Sequence, residues 1–320
     1  MAAMAEPTLF LADHRGKTTQ SGSKLRVVSF NVERGYKVDG IISYLRTLDP
    51  DIVLLQECDL ACDRTAKRNI ADYIAAALEM KVCWASEFEE LASPLRTARL
   101  AGGGSHGNAV LTKFEVLSHG AFRHTQCFDW TRSKTQPRTG GRVVVWCDVQ
   151  IPETGSILRC YSAHLENFCG ALQRVEQFSE ILKHARHHEG PVIIGGDLNT
   201  LMHGVIRFLP MFYPSDDFLR YQSLGQSEAA WWRRNVLTNC TEVAAKYPRL
   251  KCLEGLGADG YSDPFDDERD TTVNNWIWKA KLDWLLSKGL ASELWGKGGD
   301  GLSDHLCIWV DYQVPARSRM

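Results

Sequence analysis

Hydrophobic positions follow a strand–helix–strand order from Leu25 onward. The segment "LRVVSFNV" has the apolar, β-branched composition of a buried strand, and "DIVLLQE" has the same character. Between them, "VDGIISYLRTLD" repeats its apolar residues at helical spacing, with Ile41, Ile42 and Leu45 on one face. The pattern therefore predicts a β-α-β unit at the start of the fold.

The alternation of strand and helix patterns continues along the chain. Helices are predicted in "NIADYIAAALEM" and "ALQRVEQFSEILKHARHH". Strands are predicted in "GNAVLTKF", "RVVVWCDVQI", "ILRCYSAHL", "KLDWLLS" and "HLCIWVDYQV". A chain of 320 residues with these elements predicts one large α/β or β-sandwich core.

Three segments fall outside this pattern. Residues 1–24 end in the polar string "KTTQSGSK" and are predicted to form a flexible leader before a domain at 25–314 and a tail at 315–320. Residues 203–275 lose the strand rhythm and mix aromatic residues with acids, which is typical of long functional loops. We interpret residues 203–275 as an insertion that selects the substrate.

Polar residues suited to catalysis recur where the predicted strands end. The stretch "GPVIIGGDLNTLM" ends an apolar strand in two glycines, Asp197 and Asn199, which point the same way if the chain stays extended. The other polar residues at strand ends are Asn31, Glu57, His164, Asp283, Asp304 and His305. Each alone fits a turn, a solvated acid or a satisfied core histidine. Together they predict one cleft where acids bind a magnesium-type ion and histidines move protons.

The ordered motifs resemble the endonuclease/exonuclease/phosphatase superfamily over roughly residues 25–314. They read "SFNVERG", "LLQECD", "HGNAVLTK", "YSAHLEN", "GGDLNT", "KLDWLL" and "LSDHLCI". The resemblance implies an α/β fold, a four-layer sandwich of two packed mixed β-sheets flanked by helices. It also implies an enzyme that hydrolyses a phosphodiester bond by metal-assisted attack of water.

The resemblance assigns three residues to the metal side of the cleft. Glu57 is similar to the family's principal metal-ligating glutamate, Asn31 to the asparagine beside it, and Asp304 to a second acid. Glu33 stands where apurinic endonucleases carry Asp, so this motif departs from theirs. Few oxygen ligands favour Mg²⁺ as the cofactor, and Mn²⁺ is expected to substitute.

Five further residues resemble the family's catalytic groups. Asp197 and Asn199 are similar to the pair that positions the attacking water and contacts the scissile phosphate. His305 resembles the histidine that binds the phosphoryl oxygen or acts as the base, with Asp283 orienting it. His164 resembles a phosphate-contacting histidine. The sequence leaves Asp197 and His305 as alternative bases.

Substrate contacts are less defined by the sequence. Asn108 stands where the family has a strand-supporting asparagine or a polar residue near the phosphate, and Arg142 is a candidate for substrate binding. Other basic and aromatic residues that could grip a backbone or stack bases, with loop anchoring as the alternative, are Arg132, Lys134, Arg138, Trp231, Trp232, Trp276 and Trp278. A nuclease-type activity, on single-stranded nucleic acid in particular, competes with hydrolysis of a lipid or small-molecule phosphodiester. A catalytically silent binding module is the third reading.

Composition narrows the cellular setting without naming a substrate. The formal net charge is −2, so no overall charge draws the chain to nucleic acid. Ten cysteines in a chain without a signal-peptide pattern or an apolar run of membrane-spanning length are interpreted as reduced thiols. We therefore expect an intracellular, cytoplasmic or nuclear monomer without a transmembrane segment. The lack of the Trp-Cys-Asp-Arg motif disfavours inositol-phosphatase activity.

Overall fold

The computed structural model describes residues 6–16, 24–200, 227–246, 248–267, 269–274 and 279–314. Its strands are β1 Leu9–Asp13, β2 Lys24–Arg34, β3 Ile52–Leu60, β4 Lys81–Glu90, β5 Ser105–Thr112, β6 Glu115–Arg123, β7 Arg138–Gly140, β8 Val143–Gln150, β9 Ile157–His164, β10 Val192–Asp197, β11 Val273–Asn274, β12 Lys279–Ala280, β13 Asp283–Lys288, β14 Ala291–Gly298 and β15 Cys307–Gln313. Its α-helices are α1 Val38–Leu48, α2 Ile70–Ala77, α3 Ala171–Ala185, Glu228–Trp232 and Cys240–Lys246.

Two mixed β-sheets form the centre of the molecule. The first has the strand order β1-β4-β5-β3-β2-β15-β14, with β7 added beside β4, and the second has the order β13-β10-β9-β8-β6. Leu54 of the first sheet shares one buried cluster with Val145 and Ile193 of the second. Shared burial of this kind requires the two sheets to lie face to face.

Helices cover the outer face of each sheet. Ile41 and Leu45 of α1 pack in a cluster with Phe30 and Trp84 of the first sheet, while α3 and the helical region after Ser227 cover the second sheet. The helical face predicted from Ile41, Ile42 and Leu45 is thus the face that is buried. The predicted four-layer α/β sandwich is confirmed.

The N-terminal region departs from the prediction of an unstructured leader. Residues Leu9–Asp13 form β1, which pairs antiparallel with β4 at the edge of the first sheet. Phe10 and Ala12 pack against the cluster beneath α1 and α2, whereas Leu9 and Leu11 face outward. Five residues are too short to give a clear strand signal beside the polar string that follows them. Residues 17–23 of the predicted leader lie outside the described residues.

The predicted insertion is partly described, and its described part is helical. Residues 201–226 and 275–278, including Trp276 and Trp278, lie outside the described residues. Trp231 and Trp232 are buried in the cluster over the second sheet, so their suggested role as base-stacking residues is wrong. Asp263 is also internal and binds Lys281 and Arg233. These side chains support the fold.

Two further predictions concern the whole chain. All ten cysteines are free thiols, and Cys127 and Cys252 are the two that are partly exposed. Across the described ranges, no helix combines the length and the apolar character that crossing a membrane requires.

Candidate active site

Strand register brings three predicted residues into one row. In the second sheet, Asp197 on β10 is paired with His164 on the parallel strand β9. On its other side Asp197 is paired with Asp283 at the start of the antiparallel strand β13. Because β9 and β10 run in the same direction, both end at this edge of the sheet. The pairing brings His164 and Asp283, which are more than a hundred residues apart in the sequence, to either side of Asp197.

Asp197 is the centre of this row. Its Oδ2 accepts a hydrogen bond from Asn31 Nδ2 at 3.1 Å, and His164 Nε2 and His305 Nε2 lie 3.5 and 3.7 Å from the same oxygen. Burial raises the pKa of Asp197, and the positive charges of the two histidines oppose the rise. Burial therefore makes Asp197 a better proton acceptor, although the groups around Oδ2 oppose this effect.

His305 is held by Asp283. Its Nδ1 lies 2.8 Å from Asp283 Oδ2, which fixes the orientation of the imidazole and directs Nε2 toward Asp197. Burial disfavours the charged ring, yet Asp283 and Asp197 raise the pKa of His305 well above its usual value. The arrangement is a carboxylate–imidazole pair whose proton faces the centre of the site.

A second carboxylate–imidazole pair lies on the other side of Asp197. His164 Nδ1 is 3.4 Å from Glu87 Oε2, and Arg142 Nη1 is 2.9 Å from both ring nitrogens of His164. Burial opposes ionisation of Glu87, but His164 and Arg142 lower its pKa to about 2. Glu87 is fully buried on β4 and was not predicted. The one signal for it is an acid that interrupts the inward pattern of the strand "VCWASEFEE".

Glu57 lies beside these pairs and is ionised. Its Oε2 forms an ion pair with Arg34 Nη1 at 3.1 Å, while Oε1 lies 4.0 Å from His164 Nε2. Burial opposes ionisation, but Arg34 and His164 hold the pKa of Glu57 well below its usual range. Arg34 was not predicted. Because Arg34 contacts Oε2 of Glu57, Oε1 is the oxygen that a cation at the cleft could bind.

The other predicted metal-side residues surround the end of β2. Ser303 Oγ lies 2.7 Å from the carbonyl oxygen of Asn31 and 3.2 Å from Asp304 Oδ1, which fixes the loop of Asp304 to this strand. Burial raises the pKa of Glu33, and the nearby charges of Asp304 and Glu57 add to the rise. Arg99 and Arg34 neutralise part of the charge of Glu33 and Glu57, and a divalent cation between these carboxylates and Asp304 would neutralise more of it.

A tighter acidic group competes with this location. Ligand atoms of Asp197, Asp283 and His305 lie within 4.8 Å of one another. However, His305 uses Nδ1 for Asp283, and a protonated imidazole is not a metal ligand. We therefore favour Glu57, with Asp304 and Glu33 nearby, as the residues that would hold a metal ion.

The strand ends leave regular β conformation where the site begins. Glu33, Arg34, Glu57 and Asn199 have φ values of 46°, 67°, 59° and 49°. For side chains other than glycine these are uncommon backbone conformations that cluster at functional sites.

The paired glycines before Asp197 permit two close approaches. A Cβ at Gly195 would lie 2.4 Å from Leu54 of the facing sheet, and one at Gly196, where φ is 143°, would lie 1.9 Å from the carbonyl oxygen of Ala163. Glycine therefore lets β10 lie against both neighbours and delivers Asp197 to the site.

Asn199 does not continue the extended strand as expected. Its backbone N–H donates to Asp197 Oδ1 at 2.9 Å, and its Nδ2 donates to the carbonyl oxygen of Leu165 at 2.8 Å. The residue orders the carboxylate of Asp197 and joins β10 to the loop after β9. Its contact with a scissile phosphate stays a prediction.

The predicted substrate-binding residues are both internal. Asn108 is fully buried on β5, and its Nδ2 donates to the carbonyl oxygen of Val143 in the facing sheet at 2.8 Å, which is the supporting contact. Arg142 is 5% exposed and contacts Glu87, Glu166 and His164. Both residues order the site from below, and binding of substrate by either stays a prediction.

Comparison with known proteins identifies the family and the fold. The family model described as endonuclease/exonuclease/phosphatase family matches residues 28–305. No curated protein matches the chain by sequence. Among solved structures, an endonuclease/exonuclease/phosphatase from Beutenbergia cavernae DSM 12333 superposes with a TM-score of 0.59 at 16% identity, over 91% of this chain and 72% of that one.

Two further similar structures are of proteins that have names of their own. D. rerio TDP2 complexed with single strand DNA product gives a TM-score of 0.52 at 16% identity, over 92% of this chain and 100% of that one. The human Nocturnin catalytic domain with bound sulfate anion gives 0.52 at 16% identity, over 95% and 97%. At these identities the structures show a shared fold. With a family model that matches most of its length, the chain belongs to the endonuclease/exonuclease/phosphatase family.

Proposed function

We propose that the protein is a Mg²⁺-dependent phosphodiesterase of the nuclease type, in which Mn²⁺ can replace Mg²⁺. The observation that carries the proposal is the convergence on Asp197 Oδ2 of Asn31 and of two histidines, each held by its own carboxylate. A site with a carboxylate acceptor and two oriented imidazoles has the groups that water attack on a phosphodiester requires.

Each residue takes a role that follows from its contacts. A bound Mg²⁺ would be held by Glu57, with Asp304 and Glu33 nearby, and would neutralise charge on the phosphate. Asp197 accepts the proton of the attacking water, because its neighbour His305 carries a proton and cannot accept one. His305 and His164 direct N–H groups toward a phosphoryl oxygen in the same space. Asp283 and Glu87 hold these two rings.

The sequence leaves Asp197 and His305 as alternative bases, and their surroundings favour one of them. A histidine protonated in the resting site is suited to stabilise developing negative charge, whereas a carboxylate with a raised pKa is suited to accept a proton. We therefore favour Asp197 as base and His305 as the electrostatic partner.

A single-stranded nucleic acid is the substrate we favour. The named neighbour D. rerio TDP2 was solved with a single strand DNA product, and its fold is shared. A lipid or small-molecule phosphodiester is the alternative, and both fit an intracellular enzyme. A catalytically silent module is disfavoured because the predicted acids and histidines that the structure describes lie together. Asn31 contacts Asp197, His305 contacts Asp283, and Glu57 lies beside His164.

The Glu57→Gln variant tests the proposal. It removes a charged ligand at nearly constant shape, so we expect loss of most Mg²⁺-dependent hydrolysis of a chromogenic phosphodiester, roughly a hundredfold or more. Glu242→Gln, at an exposed position on an outer helix, is the matched control. Equal activity of the Glu57→Gln variant and wild type at saturating Mg²⁺ would overturn the metal assignment.

Substrate class requires a second assay. Wild-type protein is incubated with single-stranded DNA, single-stranded RNA, abasic duplex DNA and sphingomyelin, each with Mg²⁺, Mn²⁺ or a chelator. Cleavage of single strands in either metal and none in chelator supports the nuclease type. Hydrolysis restricted to sphingomyelin would replace it with the lipid alternative.

A further inference from the structure

Two loops at one edge of the second sheet bring two thiols together. Cys127 lies in the loop after β6 and Cys169 in the loop after β9, and both strands pair antiparallel with β8, so they end at the same edge. The rings of the sequence neighbours Phe128 and Phe168 stack with centroids 5.1 Å apart, which shows that the loops run side by side. The thiol of Cys127 hydrogen-bonds with that of Cys169. The proposed mechanism does not use this pair of thiols.

The side chain of Gln177 holds the two loops in this position. It is buried on α3, and its Nε2 donates to the carbonyl oxygen of Thr125 at 3.0 Å and to Cys127 Sγ at 3.5 Å. Its Oε1 accepts a hydrogen bond from the backbone N–H of Glu166 at 3.0 Å. Cys169 Sγ donates to the carbonyl oxygen of the same Glu166 at 3.2 Å. One helix side chain therefore fixes both loops, and the two thiols are held next to each other without a covalent bond.

The two thiols differ in exposure. Cys127 is partly exposed, whereas Cys169 is 1% exposed. The contact with Cys127 and burial raise the pKa of Cys169, so Cys169 keeps its proton and Cys127 is the thiol that an oxidant reaches first. Arg174 Nη1 lies 3.7 Å from Cys169 Sγ, and its charge favours a thiolate on that sulfur when it reacts. An exposed thiol beside a second, resolving thiol is the arrangement found at redox-sensitive cysteines.

Other cysteines of the chain serve as references. Cys83 and Cys147 also contact each other through their thiols, but they are only 2% and 0% exposed. Cys252 is partly exposed, and its thiol hydrogen-bonds with Ser179. The pair of Cys127 and Cys169 combines a thiol–thiol contact with access from solvent.

We propose that Cys127 and Cys169 form a site of reversible oxidation, at which hydrogen peroxide converts the two thiols into a disulfide. The sulfur of Cys127 attacks one peroxide oxygen, the O–O bond breaks, and the leaving hydroxide takes the thiol proton, which gives a sulfenic acid and water. Cys169 then attacks this sulfur, the S–S bond forms, and the S–O bond breaks with release of a second water. The two thiols lose two electrons and the peroxide gains them. A dithiol reverses the step, and this modification does not rest on the proposed function.

Oxidation at this site is expected to reach His164 through Glu166. The disulfide has no S–H group, so the hydrogen bond from Cys169 to the Glu166 carbonyl oxygen is lost. The carboxylate of Glu166 lies 3.4 Å from Arg142 Nε, and Arg142 Nη1 lies 2.9 Å from His164. A shift of Glu166 therefore moves the group that supports one of the two imidazoles at Asp197. This consequence for turnover, unlike the disulfide itself, rests on the proposed function.

Peptide mapping of the full chain tests the disulfide. Reduced, folded protein is treated with hydrogen peroxide, free thiols are blocked with N-ethylmaleimide, and the chain is unfolded and digested without reductant. We expect one linked peptide pair, Cys127 with Cys169, which weighs two hydrogen atoms less than the two reduced peptides and which dithiothreitol separates. Cys83 and Cys147 are expected to stay reduced in the same sample. A Cys127 that reaches the sulfinic acid unlinked, or that links to another cysteine or a second chain, would overturn the site.

Substitution tests whether the two thiols react directly. Cys127→Ser is expected to abolish the linked peptide, and urea unfolding checks that the variant is folded. Cys252→Ser, at the other partly exposed thiol, is the matched control and is expected to retain the link. Loss of the link in the Cys252→Ser protein would show that the disulfide arises by exchange through a third thiol, and would overturn the proposed reaction.

Turnover tests the connection to His164. Hydrolysis of the chromogenic diester is measured for wild type and Cys127→Ser before peroxide, after peroxide and after dithiothreitol. We expect peroxide to lower kcat of wild type about threefold or more, dithiothreitol to restore it, and kcat of the variant to change less than about 1.5-fold. An equal fall in both proteins, or no fall in wild type with the disulfide formed, would overturn this connection. If wild type does not hydrolyse the diester at all, the proposed function fails, and the peptide map still decides whether the disulfide forms.

Discussion

His305 and Asp283 form the shortest contact between a histidine and a carboxylate at the centre of the described site, with Nδ1 and Oδ2 2.8 Å apart. The other ring nitrogen faces Asp197, whose Oδ2 is 3.7 Å away. Asp283 also pairs with Asp197 through strand register. The orientation of the imidazole is thus fixed by the same strand pair that positions its partner.

We predict that Asp283→Asn and His305→Gln act as one unit. Each single change is expected to lower kcat/KM by roughly a hundredfold to ten-thousandfold, because the ring loses its proton or its orientation. The kcat/KM of the double variant is expected to be no lower than that of the less active single variant. Steady-state kinetics on the chromogenic diester measures all three, and Asp311→Asn, in the remote ion pair with Arg26, is the control. A double loss equal to the product of the single losses would contradict the pairing.

We predict that Glu87→Gln acts on turnover through His164. Glutamine keeps the shape but removes the charge that holds the ring, so kcat is expected to fall roughly ten- to hundredfold while KM changes little. Arg142 also loses one counter-charge, which lowers the free energy of unfolding measured in urea. Glu89→Gln, two residues further along β4 and exposed, is the control. A change in stability with unaltered kcat would reduce Glu87 to a structural role.

Stability below neutral pH is expected to depend on His106. Its Nδ1–H donates to Glu90 at 2.9 Å and Arg138 Nη1 donates to its Nε2 at 3.2 Å, which is the pattern of a neutral ring. Burial and the charge of Arg34 lower the pKa of His106 to about 3 from an ordinary value of 6.5. The unfolded chain therefore binds a proton that the folded one excludes, and stability falls as pH drops from 6.5 toward 3.

The size of this pH effect can be measured by difference. We predict that His106 accounts for a loss of about 2 kcal/mol in the free energy of unfolding between neutral pH and about pH 5. His106→Asn does not titrate, so urea unfolding of this variant should show a correspondingly smaller loss over the same interval. His119→Asn, exposed on β6, should retain the wild-type loss. Parallel curves for wild type and the His106 variant would refute the assignment.

We predict that Gly196→Ala destabilises the fold by about 3 kcal/mol or more. Its Cβ would overlap the carbonyl oxygen of Ala163, a backbone atom that cannot rotate away. Gly155→Ala separates this overlap from backbone strain, since Gly155 has φ 71° and no atom within 4 Å of an added Cβ. For that control we expect about 1 kcal/mol. Equal losses in thermal or urea unfolding would show that the overlap is relieved.

Most site residues at strand ends were predictable from the sequence, with Arg34 at the end of β2 as an exception, whereas those beneath them were not. Glu57 and Asp197 each end an apolar run, and this break in pattern is visible without a structure. Glu87 lies within a strand and becomes functional only because β4 faces the end of β9 across the two sheets. Which strands face each other is a tertiary property that local periodicity does not encode.

Two errors have related causes. Trp231 and Trp232 follow acidic, irregular sequence and were considered for base stacking, but a short helix buries both rings against the second sheet. The strand Leu9–Asp13 was missed because a short edge strand is defined by its partner more than by its own pattern. Both outcomes depend on long-range packing.

The close approach of Gly195 to Leu54 has a consequence for how activity responds to remote change. Asn31 and Glu57 belong to one sheet and His164 and Asp197 to the other. The distances between these side chains therefore depend on the spacing between the two sheets. A bulkier side chain anywhere in the interface between the two sheets would shift one sheet against the other by a fraction of an ångström. Turnover would then fall with a change in the alignment of the two sheets, well before any loss of folded protein is detected.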